Sequence, residues 1–344
     1  MSKKERLSLI QELGKERKSN VIAYLTSTRP GLEVQMAMDT PRLMFEHLRL
    51  LEQRPVDQID LVIHSNGGDG VVPWRLVTLL REHCKKLAVL VPHRAFSAAT
   101  LTALGADEIV MHPLAMLGPI DPTTANAFNP RDPLNQQNHL GISVEDVSAY
   151  VALVKEDVGI THENELVQAF NILAQQVHPL ALGNVKRTSQ QSRMMARKLL
   201  ALHMDRTADE HRMEQIVEAL SSSLYYHGHP INRREAKDDL KLKVRDCPQT
   251  VEDMLWRLYL QYEEEMKLEE PYNSALEFRA AGAIAEPQKI TTYTPAEPHR
   301  LAYVESERLT HVFTQDYDLA GTLLPNGGVQ VTLIIRNQGW RVEK

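Results

Sequence analysis

The stretch QIDLVIHSNGGDG, residues 58–70, constrains the fold most: a β-branched apolar run stops at paired glycines and passes directly into a helical pattern over 72–84. An apolar run of this length suits a strand covered on both faces, and such strands lie in parallel sheets with helices packed over them. The unit then repeats. KLAVLVP (86–92) predicts a second strand, HRAF a brief turn, 97–105 a helix of small residues, and 108–112 a further strand. Upstream, the charged start predicts a helix, 20–27 (NVIAYLTS) a strand and 41–53 a helix. Strands alternating with helices at this spacing predict an α/β fold of parallel β-α-β units. Functional groups in such folds gather at the carboxyl ends of the strands, where the NGG and HRAFS turns fall.

Residues 119–141, rich in Pro, Asn, Asp and Gln, predict a long loop of the kind that is often functional. Ser143 with Asp146 three residues on resembles a capping box, and Val147, Tyr150, Val151 and Val154 follow as an apolar stripe at helical spacing. Residues 164–225 are helical by pattern, and the basic, Met-rich stretch over 187–202 suits a core or a subunit contact. From 286 onward the runs 290–294, 328–335 and 340–342, with a turn at 325–327, predict a small β-rich element. The organisation expected is an α/β core over 1–160, a helical region over 161–285 that completes the core or supplies an oligomer interface, and the β-rich element over 286–344.

The net charge of -6 is spread along the chain without a basic stripe, so no nucleic-acid partner is expected. The start, MSKKERLSLIQELGKERK, lacks the apolar region and cleavage site of a secretory signal. The richest apolar segment, 87–111, is interrupted by His93, Arg94, Asp107 and Glu108, so no integral membrane segment is expected and the reading is a cytoplasmic chain. Cys84 and Cys247 belong to no metal-ligand or redox pattern and are expected to be idle thiols. His227 and His229 flank Gly228 without an identifiable third ligand, so neither a metal nor a cofactor is expected.

Two turns carry the chemistry. In Asn66-Gly67-Gly68 the glycines allow unusual backbone angles and leave amides free to point outward, which suits an oxyanion. In the second turn Ser97 stands at the start of a helix, among further free N–H groups. A serine there is ordinarily an N-cap. Its occurrence with the glycine turn on successive β-α units, at the same end of the expected sheet, favours catalysis instead.

Four segments together, IHSNGGDG (63–70), PHRAFSAATLTALGADEIVMHPLAMLGPIDP (92–122), SVEDVSAYVALVKEDVG (143–159) and HGHPINRREA (227–236), resemble the serine dehydrogenase proteinase family, bacterial serine peptidases related to the Clp peptidases and signal peptide peptidase A. The resemblance implies a Clp/crotonase-like fold, a homo-oligomer, a polypeptide substrate, Ser97 as nucleophile, Gly68 and Ala98 as backbone donors to the oxyanion, and Gly67 as the residue shaping the turn. For the base the sequence leaves a fork. Clp peptidases place a histidine downstream of the serine, and the corresponding stretch here, MLGPIDP, has none. Membrane-associated relatives use a lysine on a later helix, and Lys155 in AYVALVKEDVG matches it.

Lys155 falls at the edge of the apolar stripe, where partial desolvation is expected; lowering a lysine pKa from ~10.4 to ~7.5 takes about 4 kcal/mol. Glu156 and Asp157 act in the opposite direction, and His64, His93 and His112, near strand ends, are the rival bases. Two other readings keep the fold: a crotonase-type acyl-coenzyme A enzyme in which Asp121 matters, and a catalytically idle scaffold.

Overall fold

In the computed structural model, which describes residues 3–121, 123, 124, 126–133, 135–223, 229–283, 289–324 and 328–343, the apolar alternation of the strands resolves into two covered faces. The strands of the main sheet are β1 (Asn20–Thr26), β2 (Val56–His64), β3 (Cys84–Val91), β4 (Glu108–Met111), β5 (Val244–Arg245), β6 (Thr291–Tyr293), β7 (His299–Ser306), β8 (Leu309–Leu323) and β9 (Val329–Val342). The helices are α1 (Lys3–Arg17), α2 (Thr40–Arg49), α3 (Val72–Arg81), α4 (Ala98–Leu104), α5 (Val144–Ala152), α6 (Glu163–Gln176), α7 (Pro179–Leu200), α8 (Glu210–Glu218), α9 (Gln249–Met266) and α10 (Ser274–Ala280).

Strands β1 to β4 are parallel, as the β-α pattern predicts. Ile22, Tyr24, Ile59, Leu61, Ile63, Leu87 and Val89 pack to one face with α2, α3, α4 and α7. Val21, Ala23, Leu25, Val62, Ala88 and Leu90 pack to the other with α1 and α9. Period-two alternation with both sets apolar is what a doubly covered strand requires. The sheet order is β5-β4-β3-β2-β1-β7-β8-β6, with β9 paired to β8.

The C-terminal strands are thus larger than the sequence suggests, and they continue the central sheet. Strand β7 runs antiparallel to β1, with Ile22 opposite Ser306. Strands β7 and β8 were not legible, because His311, Gln315 and Asp316 interrupt the apolar signal that marks β1 to β3. The runs 328–335 and 340–342 fall within the single strand β9, and the expected turn at 325–327 lies outside the described residues. Within the loop over 119–141, Thr123–Thr124 pairs with Ile142–Ser143.

Helix α5 begins as expected at Ser143, whose Oγ accepts the Glu145 N–H at 3.0 Å, but its stripe is only partly covered: Val147 packs inward and Val151 is exposed. In α7 the Met-rich stretch turns Met195, Ala196, Leu199 and Leu200 into the core, and Arg197 donates to Glu214 at 2.7 Å. Met195 therefore serves the core, the first of the two roles expected for this stretch. Among the described residues, no helix is long and apolar enough to cross a membrane.

The junction of β1 with β7 is fixed by one buried cation. Arg6 of α1 is 1% exposed, and its Nε donates to Glu305 Oε2 at 2.8 Å. Glu305 also accepts from Tyr262 OH of α9 at 2.5 Å and from Thr310 Oγ1 of β8 at 2.7 Å, so the charge is surrounded by donors from three elements. Removing one partner of a buried pair strands the other charge and costs about 3–5 kcal/mol. Arg6→Ala is accordingly expected to lower the unfolding free energy by about that amount in urea titrations. A loss below about 1 kcal/mol would mean that the pair does not secure the seam.

Candidate active site

Both chemistry-bearing turns lie where parallel strands end. Ser65, just past β2, pairs with Ala95 in a parallel bridge: Ser65 N–H donates to Arg94 O at 3.1 Å and Phe96 N–H to Ser65 O at 3.0 Å. The Ser65 hydroxyl shares a hydrogen bond with Thr26 Oγ1 at 2.7 Å and accepts the Gly67 N–H at 3.0 Å, bracing the glycine turn. The turn then abuts the serine. A Cβ added to Gly67 would sit 2.8 Å from Ser97 Cβ and 3.0 Å from Ala98 N.

Gly68 pairs with Met36 in a second parallel bridge, in which Met36 N–H donates to Gly67 O at 2.8 Å and Asp69 N–H to Met36 O at 3.0 Å. Because alternate peptide groups of an extended segment face opposite ways, the N–H of Gly68 itself is directed away from Met36. Neither it nor the N–H of Ala98, the first residue of α4, has a hydrogen-bond partner among the described residues.

Ser97 adopts φ 52° and ψ -113°, a conformation outside the ordinary left-handed basin of non-glycine residues. Such strain costs of order 1–3 kcal/mol and persists where the surroundings over-determine it. The half-buried side chain performs none of the usual work of a serine at a helix start: its hydroxyl caps no amide of α4. The next turn is fastened by Thr100, whose Oγ1 donates to Ala95 O at 2.7 Å and accepts the Gly118 N–H at 3.1 Å.

The three histidines are placed elsewhere, on the α9 side. His64 is fully buried, shares a hydrogen bond with Thr28 Oγ1 at 3.1 Å and stacks on His93 with ring centroids 5.7 Å apart. His93 Nδ1 meets Tyr259 OH at 2.8 Å, and His112 stacks on Trp256 at 4.8 Å. None of them hydrogen-bonds Ser97, and burial lowers the pKa of each. His229 pairs with Glu235 at 2.8 Å, whereas His227 lies outside the described residues. Among the described residues no cluster of His, Cys, Asp or Glu could hold a metal. Asp121 is buried, Cys84 and Cys247 are free thiols, and burial pushes Cys84 up to about 11.

Lys155 is exposed on the π-helical turn Leu153–Asp157 that extends α5, and no hydrogen bond joins it to Ser97. The partial desolvation expected from the sequence is absent in the single chain, because the stripe beside it, Val151 included, faces solvent. The sequence reading missed two supports of the site. Ser65 and Thr100 brace its turns through their hydroxyls, a role that short polar residues flanking Gly and Ala do not announce.

Residues 1–131 match the model of a protein family described as ClpP-like SDH-type serine proteinase. Two uncharacterized proteins of Methanocaldococcus jannaschii are each 37% identical to this chain, over 123 and 122 residues; each match covers 34% of this chain and 42% of the relative. The matched part thus spans less than half the length of these curated relatives, which are archaeal where the resemblance led to a bacterial expectation. Among solved structures, the ClpP protease catalytic domain from Plasmodium falciparum is 12% identical with a TM-score of 0.36, over 72% of this chain and 93% of that one. A membrane-bound stomatin-specific protease is 18% identical with a TM-score of 0.27, over 44% of this chain and 68% of that one.

Two outcomes follow from the geometry. Gly67→Ala, at φ 100° and with its methyl 2.8 Å from Phe96 O, is expected to destabilise the chain by about 2 kcal/mol or more in urea unfolding; an unchanged midpoint would contradict the close approach of the two turns. The buried histidines hold pKa values below their unfolded value of about 6.5, so their contribution is fully present above that pH and is lost as pH falls toward the lowered values. Stability should decline below pH ~6.5 by up to about 1.4 kcal/mol per pH unit per histidine, and less steeply in His64→Gln. Identical slopes in the two proteins would show that His64 does not contribute.

Proposed function

We propose that the chain is a serine peptidase that cleaves extended or unfolded polypeptides through a Ser97 ester. The observation that carries the reading is the strained Ser97, whose hydroxyl caps nothing, beside the unpartnered N–H groups of Gly68 and Ala98. In this reading Ser97 Oγ attacks a peptide carbonyl carbon while its proton passes to a neutral amine, Lys155 Nζ. The two amides receive the developing oxyanion. Collapse of the intermediate breaks the C–N bond, the leaving amine takes the proton, and water hydrolyses the ester. No step calls for a cofactor. The outward-facing peptide groups of Gly68 also suit strand-like pairing with a substrate, which recognises main chain rather than sequence.

The exposure of Lys155 specifies what this mechanism still requires. A lysine that is to accept a serine proton has to be shielded from water, so something has to cover it. Val151, Leu153 and Val158 are exposed on and around the same turn, and Val167, Phe170 and Ile172 are exposed on α6. Contiguous apolar exposure of this kind marks interaction sites. A second copy of the chain covering α5 and α6 would bury the patch and desolvate Lys155 together, which favours a homo-oligomer.

The test is hydrolysis of casein between pH 7 and 9, with labelling by a fluorophosphonate, on the unmodified chain, Ser97→Ala and Lys155→Ala. Both variants are expected to lose at least about 10³-fold in rate while remaining folded, and Ser97→Ala should take no label. Unchanged cleavage by Ser97→Ala would end the proposal. Loss in Ser97→Ala alone would keep the nucleophile and move the base away from Lys155.

A further inference from the structure

Residues 27–36, which follow β1, run from the C-terminal strands to the glycine turn. At their outer end Ser27 N–H donates to Leu301 O of β7 at 2.7 Å, and Tyr272 N–H, in the connection from α9 to α10, donates to Pro30 O at 2.8 Å. Arg29 holds the same connection: its Nε donates to Glu270 O at 2.7 Å, and its guanidinium lies 5.3 Å from the ring centroid of Tyr272. Gly31, at φ 87°, passes so close that an added Cβ would sit 3.3 Å from Tyr272 O. Val34 N–H then returns to Ser27 O at 2.9 Å and closes the segment on itself. The outer anchors Glu270, Tyr272 and Leu301 all lie beyond residue 131, where the family match stops.

The inner end grips the candidate oxyanion donor. Met36, 1% exposed, donates its N–H to Gly67 O at 2.8 Å and accepts the Asp69 N–H at 3.0 Å. The Ser65 hydroxyl reaches the same Gly67 oxygen only at 3.4 Å. Gly67 O and the Gly68 N–H belong to one trans peptide group, so they point in opposite directions. Fixing the carbonyl on Met36 therefore fixes the aim of the Gly68 N–H. A hydrogen bond accepted by the carbonyl also polarises the amide, which strengthens its N–H as a donor.

We propose that residues 27–36 act as a positioning strap, through which β7 and the α9–α10 connection set the alignment of the Gly68 N–H toward the oxyanion. The inference rests on the reading of Ser97 as nucleophile. It adds that Arg29 and Gly31, at the far end of the strap, govern the rate of the chemical step. An oxyanion donor removed outright costs about 10²–10³ in kcat, so a donor allowed to swing loses part of that factor. The interaction is made only in the transition state, and the loss accordingly falls on kcat rather than on KM.

The test compares the full chain with Arg29→Ala and Gly31→Ala, each first shown by its Tm to be folded, in two measurements. Hydrogen exchange read by mass spectrometry is expected to be roughly tenfold faster over residues 63–70 in both variants, with exchange in α7 unchanged. On fluorescein-labelled casein, kcat is expected to fall roughly tenfold with KM held within about twofold, and labelling by a fluorophosphonate to slow in parallel. Unchanged exchange over 63–70, faster exchange with unchanged kcat, or a raised KM alone overturns the strap and leaves Ser97 as the nucleophile. Absence of label on the unmodified chain, whatever the exchange rates, overturns the reading of Ser97 and the proposal with it.

Discussion

The buried contact between Arg6 and Glu305 is the constraint on which the rest of the architecture depends. Carrying a guanidinium and a carboxylate out of water is costly, and the cost is met only when nearly every donor and acceptor is engaged. Arg6 faces Glu305, Glu265 and Glu343, and its guanidinium lies 4.9 Å from the ring centroid of Tyr303. These partners come from β7, α9 and the end of the chain, so α1 reaches its buried position only if the C-terminal strands are already beside β1. The pairing of β7 on β1 covers what would otherwise be an open edge of the parallel sheet. The N-terminal helix and the last third of the chain therefore form one folding problem, although the sequence separates them by nearly 300 residues.

The candidate site inherits its geometry from that sheet. Strands β2 and β3 run parallel with Val62 opposite Leu90, and the Ser65–Ala95 bridge, offset by two residues from that register, ties the end of β2 to the segment that leads into Ser97. The glycine turn has no freedom to retreat. Its backbone is held by Met36 on one side and the Ser65 hydroxyl on the other, while Ser97 closes over Gly67. The strain at Ser97 is sustained because α4, all of whose residues are buried, cannot rotate to relieve it. A rigid helix start and a rigid turn, each anchored in the core, keep two free amides and one hydroxyl within a small volume. That is preorganisation in its literal physical sense: the cost of aligning the groups is met during folding.

How much of this was legible depends on whether the signal was local. Strands β1 to β4 and helices α1 to α4 were readable because each carries its own apolar period, and the glycines and Ser97 stood out against it. Strands β7 and β8 were not, since their stability comes from partners far along the chain and their sequences keep charged and hydroxyl residues that only the folded environment satisfies. Glu305 is the clearest case: in the sequence it reads as a surface carboxylate, and in the fold it is fully buried. For the basic, Met-rich stretch the sequence left core and subunit contact open, and only the fold shows that Met195 is turned into the core.

Lys155 poses the remaining physical question, because in the single chain it is exposed and flanked by Glu156 and Asp157. No rearrangement of its own short π-helical turn changes this, since the turn carries its acids with it. Only a surface brought from outside can exclude water, and Val151, Leu153 and Val158, exposed on and around the same turn, are side chains able to reward such a surface. An enzyme built this way would be inactive as a free chain and would acquire its base on assembly. On the reading proposed above, Ser97 and the two amides are set in place by the fold alone, while the proton acceptor would be completed by association.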